Sequence, residues 1–464
     1  MKDGNKTWRE ILQANQPRYL GEMIELLRIP SVSAARASVP DVQHAADWVS
    51  RRLQQAGVEN IAVLPTGEHA CVYGDWLHAP GKPTILIYGH FDVQPPDPLG
   101  LWDSQPFEPV IKDGCIFARG ASDMKGNLLL SIAAVEAMLA ANGSLPVNVK
   151  FLFEGQEEIG SRDLPPFVAA HRALLACDLI LSADGLQWSE TEPALWLGIK
   201  GMCGLQIDLE TAALDLHSGA FGGAVPNAAH ALVELLATVR NRDGLIQVEG
   251  FFEQVRPLTA AERAALGEVP FDATAYRTEL GVDALVGEPG YTTQERAWAR
   301  PTLEVNGLWG GYQGDGVKTV IPARAHAKTT CRLVPNQDPE VLLGRLEEHF
   351  KRHCPAGARL TLTRSGSTAL PYEIPREHPG IKITAGVLAE VYQRPPYYTR
   401  IGGSLPITAM FLQELNAHTI MLGFGLFDER AHSPNEFYRL ANFERGQIVY
   451  ARMLEQLAGY PRQK

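Results

Sequence analysis

The sequence predicts an α/β domain with a mostly parallel sheet flanked by helices, interrupted by a smaller α+β domain. Four short apolar runs, each ended by glycine or turn residues, lie at 83–90, 147–155, 177–185 and 418–425. Such runs are typical of parallel strands that are buried on both faces. The segment 127–142 is apolar nearly all round and predicts a buried helix between the first two strands.

Two further helices are predicted near the ends of this domain. Residues 41–56 carry apolar side chains at helical spacing, and residues 443–459 form a helical tail after the fourth strand. We expect both helices to cover the sheet.

The middle of the chain has a different pattern. Residues alternate between polar and apolar in the segments 201–210, 302–311, 319–335 and 358–366, which predicts half-exposed strands. Helices are predicted at 226–240 and 338–353. The resulting order, β-α-β-β-α-β, is that of a ferredoxin-like unit.

These patterns predict two domains. The α/β domain is discontinuous and comprises residues 1–198 and 368–464, and the α+β domain comprises residues 199–367. The stretch 243–300 is predicted to be a helical insertion within the second domain.

Composition and charge exclude several classes of protein. The 464 residues are 45% apolar and 20% charged, as in globular proteins, and the formal net charge of −11 argues against nucleic-acid binding. We find no run of about 18 apolar residues and no signal-peptide core, so we expect no membrane association. The six cysteines are widely spaced without a CxxC pair, which predicts reduced thiols in the cytoplasm.

Metal-binding residue types recur where the predicted strands end. The residues are His90 and Asp92 after the first strand, Glu154, Glu157 and Glu158 after the second, Asp184 after the third, His432 after the fourth, and Asp123 just before the long helix. Sites in open α/β sheets form beyond the carboxyl ends of the strands. Two histidines and three carboxylates at one edge predict two divalent metal ions, most favourably zinc, with manganese or cobalt as alternatives.

Each of these residues also has an ordinary structural explanation. Asp123 can interact with a helix dipole, Asp184 can form a turn, and His432 can lie in a surface loop. The repetition of metal-binding residue types at several strand ends favours the metal site. A metal ion would also compensate the adjacent carboxylates of Glu157 and Glu158, which otherwise raise each other's pKa.

The ordered motifs YGHFDVQP, ARGASDMKG, FEGQEEIGS, SADG and AHSPNE resemble the dinuclear zinc exopeptidases and deacylases. This family includes aminoacylase, carboxypeptidase G, acetylornithine deacetylase and dipeptidases. The motifs DLHSGAFGG, KTVIPAR, RLVP and RIGGSLPI look most like its cytosolic nonspecific dipeptidase and carnosinase branch. The resemblance implies a zinc-exopeptidase-like fold in which the inserted domain acts as a lid or dimerisation domain.

The resemblance also implies a role for each metal-site residue. One ion would bind to His90, Asp123 and Asp184, and the other to Asp123, Glu158 and His432, so that Asp123 bridges them. Glu157 would act as the general base, accepting a proton from the attacking water and delivering it to the leaving amine. Independently of the resemblance, Asp92 lies two residues after His90, so on a strand both face the same way and Asp92 would orient the imidazole of His90.

Residues of the inserted domain and of the GGS segment are expected to complete the site. His217 would stabilise the oxyanion in the partner subunit's active site, which implies a homodimer. Arg332, Thr319, Gly403 and Ser404 would hold the substrate's terminal carboxylate. The ordinary alternatives are a local hydrogen bond for His217, a strand-surface position for Arg332 and a flexible turn for GGS.

We therefore predict hydrolysis of an amide bond next to a free carboxylate, by a dipeptidase or related metallo-exopeptidase. The substrate would be a small peptide or an N-acyl amino acid. The alternative activity is deacylation of N-acyl amino acids, as in acetylornithine or succinyl-diaminopimelate amidohydrolases. A degenerate binding protein is disfavoured, because no predicted metal ligand or base is missing from the sequence.

Overall fold

The computed structural model describes residues 6–366 and 368–462. In this part of the chain, the helices are α1 (Trp8–Leu27), α2 (Val39–Gln55), α3 (Gly126–Asn142), α4 (Leu164–Ala170), α5 (Arg172–Leu175), α6 (Ser218–Phe221), α7 (Ala228–Ala237), α8 (Ala260–Gly267), α9 (Ala273–Leu280), α10 (Thr293–Ala299), α11 (Pro339–Arg352), α12 (Pro379–Tyr392), α13 (Pro406–Leu415) and α14 (Leu440–Leu457).

The strands of the described residues follow in the same chain order. They are β1 (Glu59–Thr66), β2 (His69–Trp76), β3 (Thr84–His90), β4 (Val110–Lys112), β5 (Cys115–Phe117), β6 (Asn148–Glu154), β7 (Leu179–Ser182), β8 (Ala194–Ile199), β9 (Gly201–Glu210), β10 (Leu216–His217), β11 (Thr302–Gly310), β12 (Val320–Ile321), β13 (Arg324–Leu333), β14 (Arg359–Arg364), β15 (Tyr372–Glu373), β16 (Tyr397–Ile401), β17 (Thr419–Met421) and β18 (Phe437–Arg439).

Contacts between residues divide the chain into two compact units. The first comprises Met1–Trp196, Ile374–Tyr398 and Met410–Lys464, and the second comprises Leu197–Glu373 and Thr399–Ala409. The sequence pattern predicts that all of 368–464 belongs to the α/β domain. In the structure, the segment that contains Gly403 and Ser404 instead groups with the second unit.

The first unit is built on a mostly parallel sheet with the strand order β1-β2-β6-β3-β7-β17. Strands β6, β3, β7 and β17 run parallel to one another, and they correspond to the four predicted apolar runs. Strands β1 and β2, which the sequence analysis did not single out, extend the sheet in antiparallel fashion beyond β6. The predicted fold class is confirmed.

Helix α3 is the central helix of the first unit, and it packs against α1 and α14. Together with the preceding turn Ala121–Lys125, it is long and apolar enough to cross a membrane by length and composition alone. Polar residues interrupt this segment, so it does not stand out in the sequence as an unbroken apolar run of membrane-spanning length. In the structure, 83% of its most apolar window is buried within the fold, as in a core helix.

The second unit contains an antiparallel sheet with the strand order β11-β13-β9-β14. Helices α7 and α11 pack on this sheet, and their apolar side chains form a core with Leu205, Ile207 and Ala327. The order of elements is the predicted β-α-β-β-α-β pattern. The stretch 243–300 contains α8, α9 and α10.

Candidate metal centre

Parallel strands of the first unit bring the predicted residues to one edge of the sheet. His90 is the last residue of β3 and is paired in register with Glu154, the last residue of β6. Asp184 follows β7, which pairs with β3 on its other side. The turn Glu157–Ile159 follows β6, and the next residue, Gly160, has a φ of 86°, which glycine adopts without strain.

Asp123 lies between two imidazoles. Its Oδ1 atom is 3.2 Å from Nε2 of His90, and its Oδ2 atom is 3.0 Å from Nε2 of His432. Burial raises the pKa of Asp123, but the contacts with His432 and His90 outweigh burial and hold this pKa below its ordinary value. The two oxygens of one carboxylate therefore face two different histidines.

Glu158 completes a compact group around Asp123. His90, Asp123 and Glu158 each place one potential ligand atom within 4.8 Å of the other two. The Oε2 atom of Glu158 is 3.2 Å from Nε2 of His432 and accepts a 2.9 Å hydrogen bond from Nε2 of Gln94. The sequence analysis did not identify Gln94, because a glutamine four residues after a strand end carries no signal of its own.

Glu157 and Asp184 lie within electrostatic range of this group. Burial and the charge of Asp184 raise the pKa of Glu157 well above its usual range. Burial and the charge of Asp123 raise the pKa of Asp184 to about 7. Buried acidic groups that repel one another in this way call for a compensating cation.

Two buried atoms of the group support the presence of a metal ion. Nε2 of His90 and Oε1 of Glu158 have no hydrogen-bond partner among the described residues. The contact between Nε2 of His90 and Asp123 is short, but it lacks the alignment of a hydrogen bond. Imidazole nitrogens and carboxylate oxygens are the donors that divalent metals such as zinc prefer. These residues therefore fit a metal ion.

Asp92 positions the residues around it. Its carboxylate accepts hydrogen bonds from the backbone amides of Glu157 (3.2 Å) and Glu158 (3.1 Å). Nδ1 of His90 lies 3.1 Å from the carbonyl oxygen of Asp92 and 3.4 Å from its carboxylate. One buried acid thus fixes both the Glu157–Glu158 turn and the ring of His90, which leaves Nε2 of His90 directed at Asp123.

Glu154, for which the sequence analysis found no role, supports the end of β6. Its Oε1 atom accepts hydrogen bonds from the hydroxyl groups of Tyr88 (2.5 Å) and Ser161 (2.9 Å). Burial raises the pKa of Glu154 to about 7. This side chain links β3 to the chain that follows the Glu157–Glu158 turn.

Glu436 is a positioning residue that the sequence analysis missed. It accepts hydrogen bonds from the guanidinium of Arg119 (2.6 Å) and from the backbone amides of Gly120, Ser122 and Asp123 (2.9–3.0 Å). Burial raises the pKa of Glu436, but these four donors favour the ionised carboxylate. Glu436 therefore joins the segment that carries Asp123 to the segment that carries His432.

The backbone around His432 is strained. His432 has a φ of 63°, and Arg430 and Asn435 also have positive φ values. Residues with a β-carbon enter this region at a cost, and such strain concentrates at functional sites. The side chain of Asn435 stabilises the loop by accepting a hydrogen bond from the amide of Asp103 and donating one to the carbonyl of Leu101.

Replacing Glu436 with glutamine should destabilise the protein by about 3–5 kcal/mol, because it leaves the buried Arg119 without its counter-charge. Metal affinity should fall about 10- to 100-fold, since Asp123 loses its support. Urea unfolding and metal titration measure these effects. The control is Glu249→Gln, which removes an exposed ion pair with Arg352 and should leave stability and metal affinity nearly unchanged. Equal effects of the two substitutions would contradict the role of Glu436.

The metal-free protein should lose stability as pH rises from about 4 to about 7. Burial raises the pKa of Asp184 from 3.8 to about 7 and the pKa of Glu154 from 4.5 to about 7. A group with a raised pKa binds its proton more tightly in the folded state than in the unfolded state. Its contribution to the stability of the folded state is therefore lost as pH rises from its ordinary pKa through its raised pKa. Unfolding after chelation measures this trend, and adding back metal should flatten it. A metal-free protein whose stability rises over this range would contradict the prediction.

The predicted residues of the second unit fall into two groups. Arg332 donates a 2.8 Å hydrogen bond to the hydroxyl of Ser404, which is next to Gly403. His217 is paired with Val320, and the carbonyl of Thr319 accepts a hydrogen bond from the amide of Ser218. The structure thus places Arg332 with the GGS segment, and His217 beside Thr319.

His217 has a defined hydrogen-bonding pattern. Its Nδ1 atom accepts hydrogen bonds from the backbone amides of Gly219 (3.0 Å) and Ala220 (3.2 Å), so it caps α6. In the neutral imidazole, the proton is therefore on Nε2. The side chain is exposed, which leaves Nε2–H available as a donor.

Comparisons with known proteins agree with this fold. Residues 86–456 match the model of peptidase family M20/M25/M40. The chain is 31% identical to the Cys-Gly metallodipeptidase dug1 of Schizosaccharomyces pombe, over 97% of each chain. It is 30% identical to the Beta-Ala-His dipeptidase of Mus musculus, over 87% of this chain and 84% of the relative.

A solved structure supports the same relationship. The M20 family metallo-carboxypeptidase of Sulfolobus solfataricus superposes with a TM-score of 0.84 at 30% identity, over 95% of this chain and 99% of that one. The family and the dipeptidase branch predicted from the motifs are confirmed. The chain belongs to peptidase family M20/M25/M40.

Proposed function

We propose that this protein is a dinuclear metallo-dipeptidase that uses two divalent ions, most favourably zinc. The observation that carries this proposal is the carboxylate of Asp123, whose two oxygens face the Nε2 atoms of His90 and His432. Asp184 would add a ligand beside His90, and Glu158 a ligand beside His432. The dipeptidase names of two relatives support the substrate class.

The contacts of Glu157 and Glu158 support a role as general base for Glu157 and as metal ligand for Glu158. Bound divalent ions polarise a scissile carbonyl and lower the pKa of water. The Oε2 atom of Glu158 contacts His432, whereas the carboxylate of Glu157 has no hydrogen bond or ion pair within residues 6–366 and 368–462. Glu157 is therefore free to accept a proton from the attacking water and to deliver it to the leaving amine.

The second unit offers a group that recognises a free carboxylate. No ion pair of Arg332 with an acidic side chain is found in residues 6–366 and 368–462, and its guanidinium donates to the hydroxyl of Ser404. An unpaired guanidinium next to a hydroxyl is a suitable receptor for a carboxylate. We assign the substrate's terminal carboxylate to Arg332, Ser404, the backbone of Gly403 and the hydroxyl of Thr319.

Stabilisation of the oxyanion is assigned to His217. Its Nδ1 atom is occupied by the amides that cap α6, so Nε2–H is the available donor. We propose that this donor acts in the active site of a second copy of the chain, which makes the homodimer the active form. The cytoplasm is the proposed location, and the free state of the six cysteines supports it.

A substrate panel tests this function. The values of kcat/KM for unblocked dipeptides should exceed those for N-acetyl and N-succinyl amino acids, as the dipeptidase names of the relatives suggest. Prior chelation should remove the activity, and added zinc should restore it. Faster hydrolysis of the N-acyl amino acids would replace the dipeptidase assignment with a deacylase.

A further inference from the structure

Lys200 is a buried cation that has no role in the proposed function. It lies between β8 and β9 with only 3% of its surface exposed. Its ammonium group donates one hydrogen bond, to the carbonyl oxygen of Arg296 at 3.2 Å. Within residues 6–366 and 368–462, no ion pair between Lys200 and an acidic side chain is found. Buried lysines are rarely left without a partner.

The charged neighbours of Lys200 are also cations. Burial and the positive charges of Arg332 and Arg300 together lower the pKa of Lys200 to about 7. Arg300 is compensated by Glu288, which accepts two hydrogen bonds of 2.7 Å from its guanidinium. No acidic side chain among the described residues compensates Arg332. Within that part of the chain, Lys200 and Arg332 are therefore two neighbouring cations without a counter-anion.

The backbone holds these two cations at one corner of the second unit. The amide of Lys200 donates a 3.1 Å hydrogen bond to the carbonyl of Gly403. The next residue, Ser404, accepts the hydrogen bond from Arg332. Arg332 is itself paired in register with Met202, two residues after Lys200. The same short segment thus contacts both Lys200 and Arg332.

We propose that Lys200 is a second cationic contact for the substrate's terminal carboxylate, acting with Arg332 and Ser404. This inference rests on the proposed function and adds a specificity-determining residue to the carboxylate subsite. The substrate's carboxylate supplies the counter-anion that residues 6–366 and 368–462 do not provide, and it accepts hydrogen bonds from both side chains.

A purely structural role for Lys200 is the competing explanation. Its ammonium group would then only hold the carbonyl of Arg296 near the end of α10. Lys150 provides an example of that role elsewhere in the chain, because its ammonium group donates to the carbonyls of Leu174 (2.6 Å) and Ala176 (2.7 Å). Lys150 is 7% exposed, so it is a matched control for the loss of a buried lysine.

The test compares a dipeptide with its C-terminal amide. Lys200→Met should raise KM for the free acid about 10- to 100-fold, the usual value of a hydrogen bond to a charged group. It should change kcat little, and it should leave the kinetics of the amide nearly unchanged. Lys200→Arg, which keeps the charge, should retain most of the preference for the acid. Lys150→Met should not change the ratio of kcat/KM for the acid to kcat/KM for the amide.

The wild-type protein provides a second measurement that does not depend on the folding of a variant. The quantity to measure is kcat/KM for the acid divided by kcat/KM for the amide. Effects of pH that act equally on both substrates cancel in this ratio. This ratio should fall as pH rises past 7, because Lys200 loses its proton. The charged groups that face Lys200 are Arg332 and Arg300, and Arg300 is paired with Glu288.

Two outcomes would overturn the role of Lys200. One is an equal rise in KM for acid and amide in Lys200→Met, and the other is an acid-to-amide ratio in the wild type that is independent of pH. The acid-over-amide preference of Arg332→Met shows whether only the role of Lys200 fails or whether the proposed function fails as well. If Arg332→Met removes the preference for the acid and Lys200→Met does not, only the inference fails. If the wild type hydrolyses neither substrate, the proposed function fails.

Discussion

Replacing Glu157 with alanine is expected to lower kcat by about 10²- to 10⁴-fold, which is the usual contribution of a general base. The metal content should not change, because Glu157 is proposed to act as the base and not as a metal ligand. Steady-state kinetics and elemental analysis of the same preparation measure the two quantities. The combination of lost turnover and retained metal distinguishes a base from a ligand.

Two further variants control this experiment. Glu157→Gln keeps the shape of the side chain but cannot accept the proton, so it should be as inactive as the alanine variant. Glu68→Ala removes an exposed glutamate and should leave kcat unchanged. Near-normal turnover in Glu157→Ala would remove this residue as the base, and simultaneous loss of metal would make it a ligand instead.

Replacing Asp123 with asparagine is expected to lower activity by a similar factor, through loss of bound metal. Asp123 is the carboxylate that contacts both His90 and His432. Its loss should lower the metal content from about two ions per chain to fewer than one, and activity should fall with it. Elemental analysis after reconstitution and dialysis measures the bound metal.

The matched control for this substitution is Asp47→Asn, on an exposed position of α2. It makes the same chemical change away from the site and should leave both metal content and activity unchanged. An Asp123→Asn variant that retains two ions and normal activity would contradict the bridging role.

The sequence was sufficient to predict the parallel strands and the metal-type residues at their ends. Strands β3, β6, β7 and β17 are buried on both faces, so each is a short apolar run that stands out in the sequence. Parallel pairing brings the ends of these strands to one edge. The neighbourhood of His90, Asp123, Glu158 and His432 follows from that topology.

The supporting contacts were not predictable in the same way. Glu436 and Arg119 are separated by 317 positions, and neither has a local pattern that names its partner. The same limitation applies to Gln94 and Lys200, whose importance depends on the atoms that surround them in the fold. Strands β1 and β2 were also missed, because their mixture of polar and apolar residues does not form a clear run.

The second unit shows a different limit of sequence analysis. The β-α-β-β-α-β order was visible from the alternating strands and the two helices. The grouping of Gly403 and Ser404 with this unit was not visible, since these residues are far along the chain from Arg332. The hydrogen bond between Arg332 and Ser404 is a property of the folded chain.

The most direct test of the central claim is a metal titration of the chelator-treated protein, followed by its hydrolysis of an unblocked dipeptide. The dinuclear account predicts no activity without metal and full recovery at about two zinc ions per chain. Activity that survives complete removal of metal, or that is fully restored by one ion or fewer per chain, would contradict it.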